Sequence, residues 1–337
     1  MCTNLQHLKT APIQAPRIAG LISAATSKGV RLCSASHVSY ITVNGFCLRY
    51  ILTCTFSQGA ALLAMAMYLI WLRVALVLYG VASLTVIPDV LTGHDRWRKF
   101  VHPVCVSAFY FHLVALVEMM RLAHHWVPAS LHEVETSFAL LLTVTFLAIY
   151  LRYRAISFGL FVLPVIFLLL LLPAAQPDHA PVSSQWMHNG WILLHIALLL
   201  VAYTLLLFSL LSSLLYLIQE RRLKNKQIGG IFSHLPPLDT IDHIAFVALV
   251  VGLPCMTLGL LAGALIAQES VGAAYFLDPK VLLSIGLWVL YVGMLYVRRH
   301  TGLRGKRAVY LSSLVFLMAL TVWVANQFST VHRFPAP

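Results

Sequence analysis

The residue type with most chemical reach in this 337-residue chain is histidine, of which there are fifteen. His195 falls about one turn inside the start of a long apolar run, and His332 follows the last such run. Between them in sequence lies Gly272-Ala-Ala-Tyr-Phe-Leu-Asp-Pro-Lys280, a short polar-ended loop flanked by apolar stretches. Neutral imidazole is the commonest axial ligand of haem iron, and two histidines from different helix ends can take one iron from both faces. Trp191, Tyr275 and Phe276 supply aromatic surface near these histidines, against which a porphyrin could rest. Fifteen histidines also make chance pairings common, and aromatic residues gather at membrane interfaces whatever the function. Spacing alone leaves both readings open.

His112 differs, because it lies near the middle of an apolar run. A polar group at bilayer depth is costly, and is either functional or paired. An inner haem contact is one reading of His112, and a helix-to-helix hydrogen bond is the other. The six cysteines form no Cys-x-x-Cys, zinc spacing or Cys-x-x-Cys-His, so neither thiol-redox chemistry nor covalent haem attachment to this chain is encoded.

The elements that must position these residues follow from composition. The chain is 60% hydrophobic and 10% charged, with a mean hydropathy of +0.85. Soluble domains carry about a quarter charged residues. Apolar runs long enough to span a bilayer recur at about 66–87, 103–121, 134–151, 155–173, 191–218, 244–267, 281–297 and 308–328. Each must be helical, since lipid offers no partner for free backbone N–H and C=O groups. The expected fold is an all-α integral membrane protein of about eight transmembrane helices.

The net charge of +12 does not point to nucleic acid, because the basic residues cluster in alternate short loops. One set of loops holds Arg96, Arg98 and Lys99; Arg152 and Arg154; Arg221, Arg222, Lys224 and Lys226; and Arg298, Arg299, Arg304, Lys306 and Arg307. The opposite set, with the C-terminal tail, holds Arg121, Lys280 and Arg333. The positive-inside rule places the first set in the cytoplasm. The 268–280 loop and the C-terminus then face outward, which puts His195, Lys280 and His332 on one side. Residues 1–64 are Ser/Thr-rich and basic and read as a disordered or misannotated extension, with translation beginning near Met65 and the functional unit covering 65–337.

From about Leu69 onward these residues resemble the cytochrome c assembly family of haem-handling membrane proteins, its HemX-like branch in particular. That family carries an outward loop of the form Trp-Gly-x-x-Trp-x-Trp-Asp-Pro-Lys between two external histidines. Here Gly272, Asp278, Pro279 and Lys280 match it, while Val271, Tyr275 and Leu277 replace the three tryptophans. Trp191 to His195, followed by Ala202-Tyr203, resembles the first external histidine segment. Leu215 to Lys224, Leu235 to Asp242, Trp288 and Gly302 to Ala308 continue the likeness, and Asn326 precedes His332 as it would the second external histidine. His112 matches a membrane-buried family histidine, and the family's second buried histidine falls at Tyr296.

The resemblance implies a haem-binding, haem-presenting subunit of c-type cytochrome biogenesis in a bacterial inner membrane. Haem b would be held non-covalently, with His195 and His332 as axial ligands and His112 as an inner contact. The 271–280 loop would cradle the porphyrin through Tyr275, Phe276 and Asp278, with Lys280 near a propionate. Apocytochrome c and a partner biogenesis membrane protein would be required, so the chain is at most one subunit of a haem-attachment system. The alternative is a HemX-like accessory or regulatory protein of haem biosynthesis, which the replaced tryptophans favour. A small-molecule transporter ranks third, since neither internal repeats nor paired broken helices are evident.

Overall fold

The structure is a computed structural model that describes residues 31–35, 38–42, 67–86, 95–128, 130–176, 190–225, 236–270 and 277–325. The chain divides into two units, 1–63 and 64–337. In the first, the described residues form an antiparallel hairpin of β1 (Arg31–Ala35) and β2 (Val38–Thr42), with Cys33 opposite Tyr40. The sequence reading did not anticipate this hairpin, because its strands are short and lack a regular alternation of apolar residues.

The second unit is all α-helical. Its described helices are α1 (Met67–Val86), α2 (Asp95–Ala123), α3 (Leu131–Tyr153), α4 (Gly159–Ala175), α5 (Gly190–Lys224), α6 (Leu238–Ser270), α7 (Pro279–Thr301) and α8 (Lys306–Ala325). A short 3-10 turn, Ile156–Phe158, leads into α4. All eight have spans long and apolar enough to cross a membrane, so this is a multi-pass membrane protein. Every expected run corresponds to one helix.

Local chemistry fixes the helix ends. Ser130 caps α3 by accepting from the Glu133 N–H, and the Glu133 carboxylate accepts from the Ser130 N–H in return. At the start of α7, the Asp278 carboxylate accepts from the Lys280 N–H at 2.9 Å, and Pro279 follows where its missing N–H costs nothing. The same helix stops at Gly302, whose φ of 59° favours glycine.

Two cores share α5. The first joins α1 to α4 with the α5 residues Leu207, Phe208 and Leu211 and the start of α6. The second joins α5 to α8 through residues such as Leu206, Met256, Tyr291 and Val315. Interhelical bonds show neighbours running antiparallel. Arg73 near the start of α1 donates to the Ala174 carbonyl at the end of α4. Arg298 near the end of α7 donates to Asp242 near the start of α6. The starts of α5 and α7 and the end of α6 therefore share one end of the bundle, and the basic residues of α5, α7 and α8 share the other.

Candidate histidine site

α5 and α6 make the most extensive helix pair in the unit. Gly259 and Gly263, one turn apart on α6, let the two backbones come close. A methyl group at Gly259 would lie 2.9 Å from Leu199. One at Gly263 would run into the His195 ring. The Gly-Leu-Leu-Ala-Gly sequence is a small-x-x-x-small pattern of the kind that draws membrane helices together. In this pair it leaves a slot, and the slot is filled by His195.

Within that slot, Nδ1 of His195 lies 2.6 Å from the Gly259 carbonyl oxygen. A carbonyl only accepts, so Nδ1 carries the proton and Nε2 keeps the lone pair. A backbone carbonyl on one ring nitrogen is the usual device for orienting a metal-ligating histidine through the other. Lys280, in the first turn of α7, lies within electrostatic reach of the ring. Asp278 is buried, and its carboxylate caps α7. The Asp-Pro-Lys end of the loop is thus a helix start that delivers Lys280 toward His195. Small apolar contacts close this end: Ile192 and Ile196 against Val127 and Ile266, and Val281 against Ala267. Trp191 is exposed on the surface of α5. His332, Tyr275 and Phe276 lie outside the described residues.

His112 is built differently. It is fully buried between α1, α2 and α3, and both ring nitrogens are engaged. Nε2 lies 3.1 Å from the Thr136 carbonyl and must donate to it. Nδ1 lies 3.3 Å from the Tyr79 hydroxyl, which is also 3.0 Å from Thr143 Oγ1. Thr143 in turn donates to the Ala139 carbonyl. In this state His112 ties three helices together, the helix-to-helix arrangement that stood beside the ligand reading. Tyr296, where the family's second buried histidine falls, is exposed on α7 with its ring beside His300, so it is not part of the His112 cluster.

Sequence reasoning missed several contributors. Gly259 and Gly263 carry a legible signal in their four-residue spacing. Thr136 and Thr143 lie seven apart and so share a face of α3, which the pattern of polar residues within the span would have indicated. His125 is a further one: it is buried, with Nε2 3.7 Å from the buried Glu133 carboxylate. Its ring sits where α2 ends with His124 at a φ of 57° and folds back under the capped start of α3. Among the described residues no cluster of three or more His, Cys, Asp and Glu side chains could hold a bare metal ion.

The class of molecule these features define is a helical membrane protein with an oriented histidine at one end of its bundle. The profile of the Cytochrome C assembly protein family matches residues 108–330, well over half of the chain, and the chain belongs to that family. Among curated relatives, it is similar to the cytochrome c biogenesis protein CcsA of Guillardia theta, at 26% identity over 238 residues, covering 63% of this chain and 78% of that protein. It is also similar to protein HemX of Bacillus subtilis, at 31% over 144 residues, covering 42% and 52%. A third relative is an uncharacterized 28.8 kDa protein in the nifR3-like 5' region of Azospirillum brasilense, at 31% over 156 residues, covering 46% and 58%. The chain thus spans between 52% and 78% of the length of these three. No solved structure matches it.

Proposed function

We propose that this chain binds haem at its His195 end and presents it during c-type cytochrome biogenesis. One observation carries the reading: the Gly259 carbonyl holds His195 Nδ1, which leaves Nε2 as the ring's lone-pair nitrogen. Family membership and the relatives named for cytochrome c biogenesis give the setting.

On this reading haem b is held non-covalently as cargo, with His195 and His332 as its axial ligands. Tyr275 and Phe276 offer ring faces to the porphyrin, and Lys280 meets a propionate. The first turn of α7, set by Asp278 and Pro279, fixes where that ammonium stands. Trp191 marks the interface at the same end. His112 keeps α1, α2 and α3 in register; an inner haem contact there would require its present bonds to open. The side bearing His195 faces outward from a bacterial inner membrane, following the distribution of basic residues. Apocytochrome c and a partner membrane protein complete the system.

The HemX-like accessory reading is favoured by one specific observation, the absence of all three loop tryptophans. The two separate in cells that carry His195→Ala or His332→Ala at normal protein levels. Loss of holo-cytochrome c with unchanged total haem supports presentation. Unchanged holo-cytochrome c with altered levels of haem-synthesis enzymes would replace it with the accessory reading.

A further inference from the structure

At the end of the bundle opposite His195, three basic clusters have different fates. Arg152 and Arg154 lie over the rings of Tyr153 and Tyr150. Arg298 and Arg304 bind the Asp242 carboxylate at 2.7 and 3.1 Å. The third cluster surrounds an open cavity of ≈ 840 Å³ between the end of α5 and the turn from α7 to α8. Leu217, Arg221, Lys224, Arg304, Lys306 and Arg307 are among the residues lining it. Lys224 is paired with Glu220 at 2.6 Å. Arg221, Lys306 and Arg307 are exposed, and none of them forms an ion pair among the described residues.

The shape of this cavity is set by the four-residue turn. Gly302 and Gly305 both have positive φ, at 59° and 68°. A methyl group at Gly305 would stand 2.8 Å from a Glu220 carboxylate oxygen, so the turn lies close against α5. The first backbone bond of α8 runs from the Val309 N–H to the Gly305 carbonyl. The N–H groups of Lys306, Arg307 and Ala308 therefore have no acceptor within the helix. Exposed cations and N–H groups that have no acceptor within the helix belong to the same rim.

We propose that this cavity binds the phosphate-bearing headgroup of an anionic phospholipid from the adjacent leaflet. Three features choose lipid over a soluble phosphate. The site lies at the ends of membrane-spanning helices, where headgroups are at their highest concentration. Leu217 and Leu303 give it an apolar part to its lining, which acyl chains can meet. Its cations are spread around an open rim, which suits a headgroup entering from the leaflet better than a small ion needing enclosure. Basic pockets between transmembrane helices are a recurrent way of holding such headgroups.

The test uses the full chain in neutral detergent, titrated with phosphatidylglycerol and read by native mass spectrometry as lipid retained. Phosphatidylglycerol should be retained and phosphatidylcholine should not. Arg221→Gln/Lys306→Gln/Arg307→Gln should weaken retention roughly 100-fold, and Arg221→Glu alone roughly 10-fold. Arg152→Gln/Arg154→Gln, the same kind of change at the tyrosine-bound cluster, should leave it within twofold. Because the three substituted side chains are exposed, folding is expected to survive, and the melting temperature of each variant checks this. Equal retention of phosphatidylcholine, or equal loss in the Arg152/Arg154 variant, would overturn the assignment. So would displacement of the lipid by inorganic phosphate, which would make a soluble phosphate the ligand.

Discussion

His112 and His195 are the same side chain in two membrane environments, and the contrast separates structure from chemistry. His112 has a partner on each nitrogen and three helices around it. Its ring is consumed by packing. His195 is held through one nitrogen, by a backbone carbonyl, and sits in a slot made by two glycines. Its other nitrogen is what the fold leaves over. A buried polar group that satisfies every bond specifies how helices assemble, whereas one held from a single side is oriented for something else. The difference lies less in the histidines than in their neighbours: threonines and a tyrosine around one, glycines around the other.

Four substitutions test the contrast between the two histidines. The largest effect is expected from Gly263→Val, which fills the slot and expels the His195 ring while leaving every histidine in place. Haem affinity should fall about 10- to 100-fold, as when the support of a metal ligand is lost. Spectral titration of the purified protein with haem checks this. His112→Leu should do the reverse. It takes one partner each from the Tyr79 hydroxyl and the Thr136 carbonyl, and should cost about 1–2 kcal/mol in stability without altering haem affinity. A smaller cost, about 0.6 kcal/mol, is expected for Tyr79→Phe, which removes one hydroxyl from the cluster but leaves the Thr136 bond. Equilibrium unfolding in mixed detergent reads both. Gly293→Ala is the control, since a methyl group there meets no atom within 4 Å. It should shift stability by no more than about 0.5 kcal/mol and leave haem affinity unchanged.

Much of the membrane unit was legible in the sequence, because a span has to be long and apolar and has to satisfy its own backbone. All eight runs correspond to helices, and Asp278-Pro279 and Gly302 mark ends that turn chemistry alone would have placed. The site was legible only in part. His195 stood out by position, but its slot depends on Gly259 and Gly263, sixty-odd residues away in the chain. Which helix faces which is set by packing, and periodicity within one span does not encode it. His125 shows the same limit from the other direction: it lies just past the end of α2, beside the capped start of α3, and is buried there. The hairpin of β1 and β2 had too few residues to print a period at all.

The most direct test of the account is an absorption spectrum of the full chain purified from haem-replete cells, oxidised and reduced, beside His195→Ala with and without added imidazole. The parent should show a low-spin bis-imidazole spectrum, His195→Ala should lose it, and free imidazole in the vacated slot should restore it. A parent spectrum that persists unchanged in His195→Ala would contradict the account.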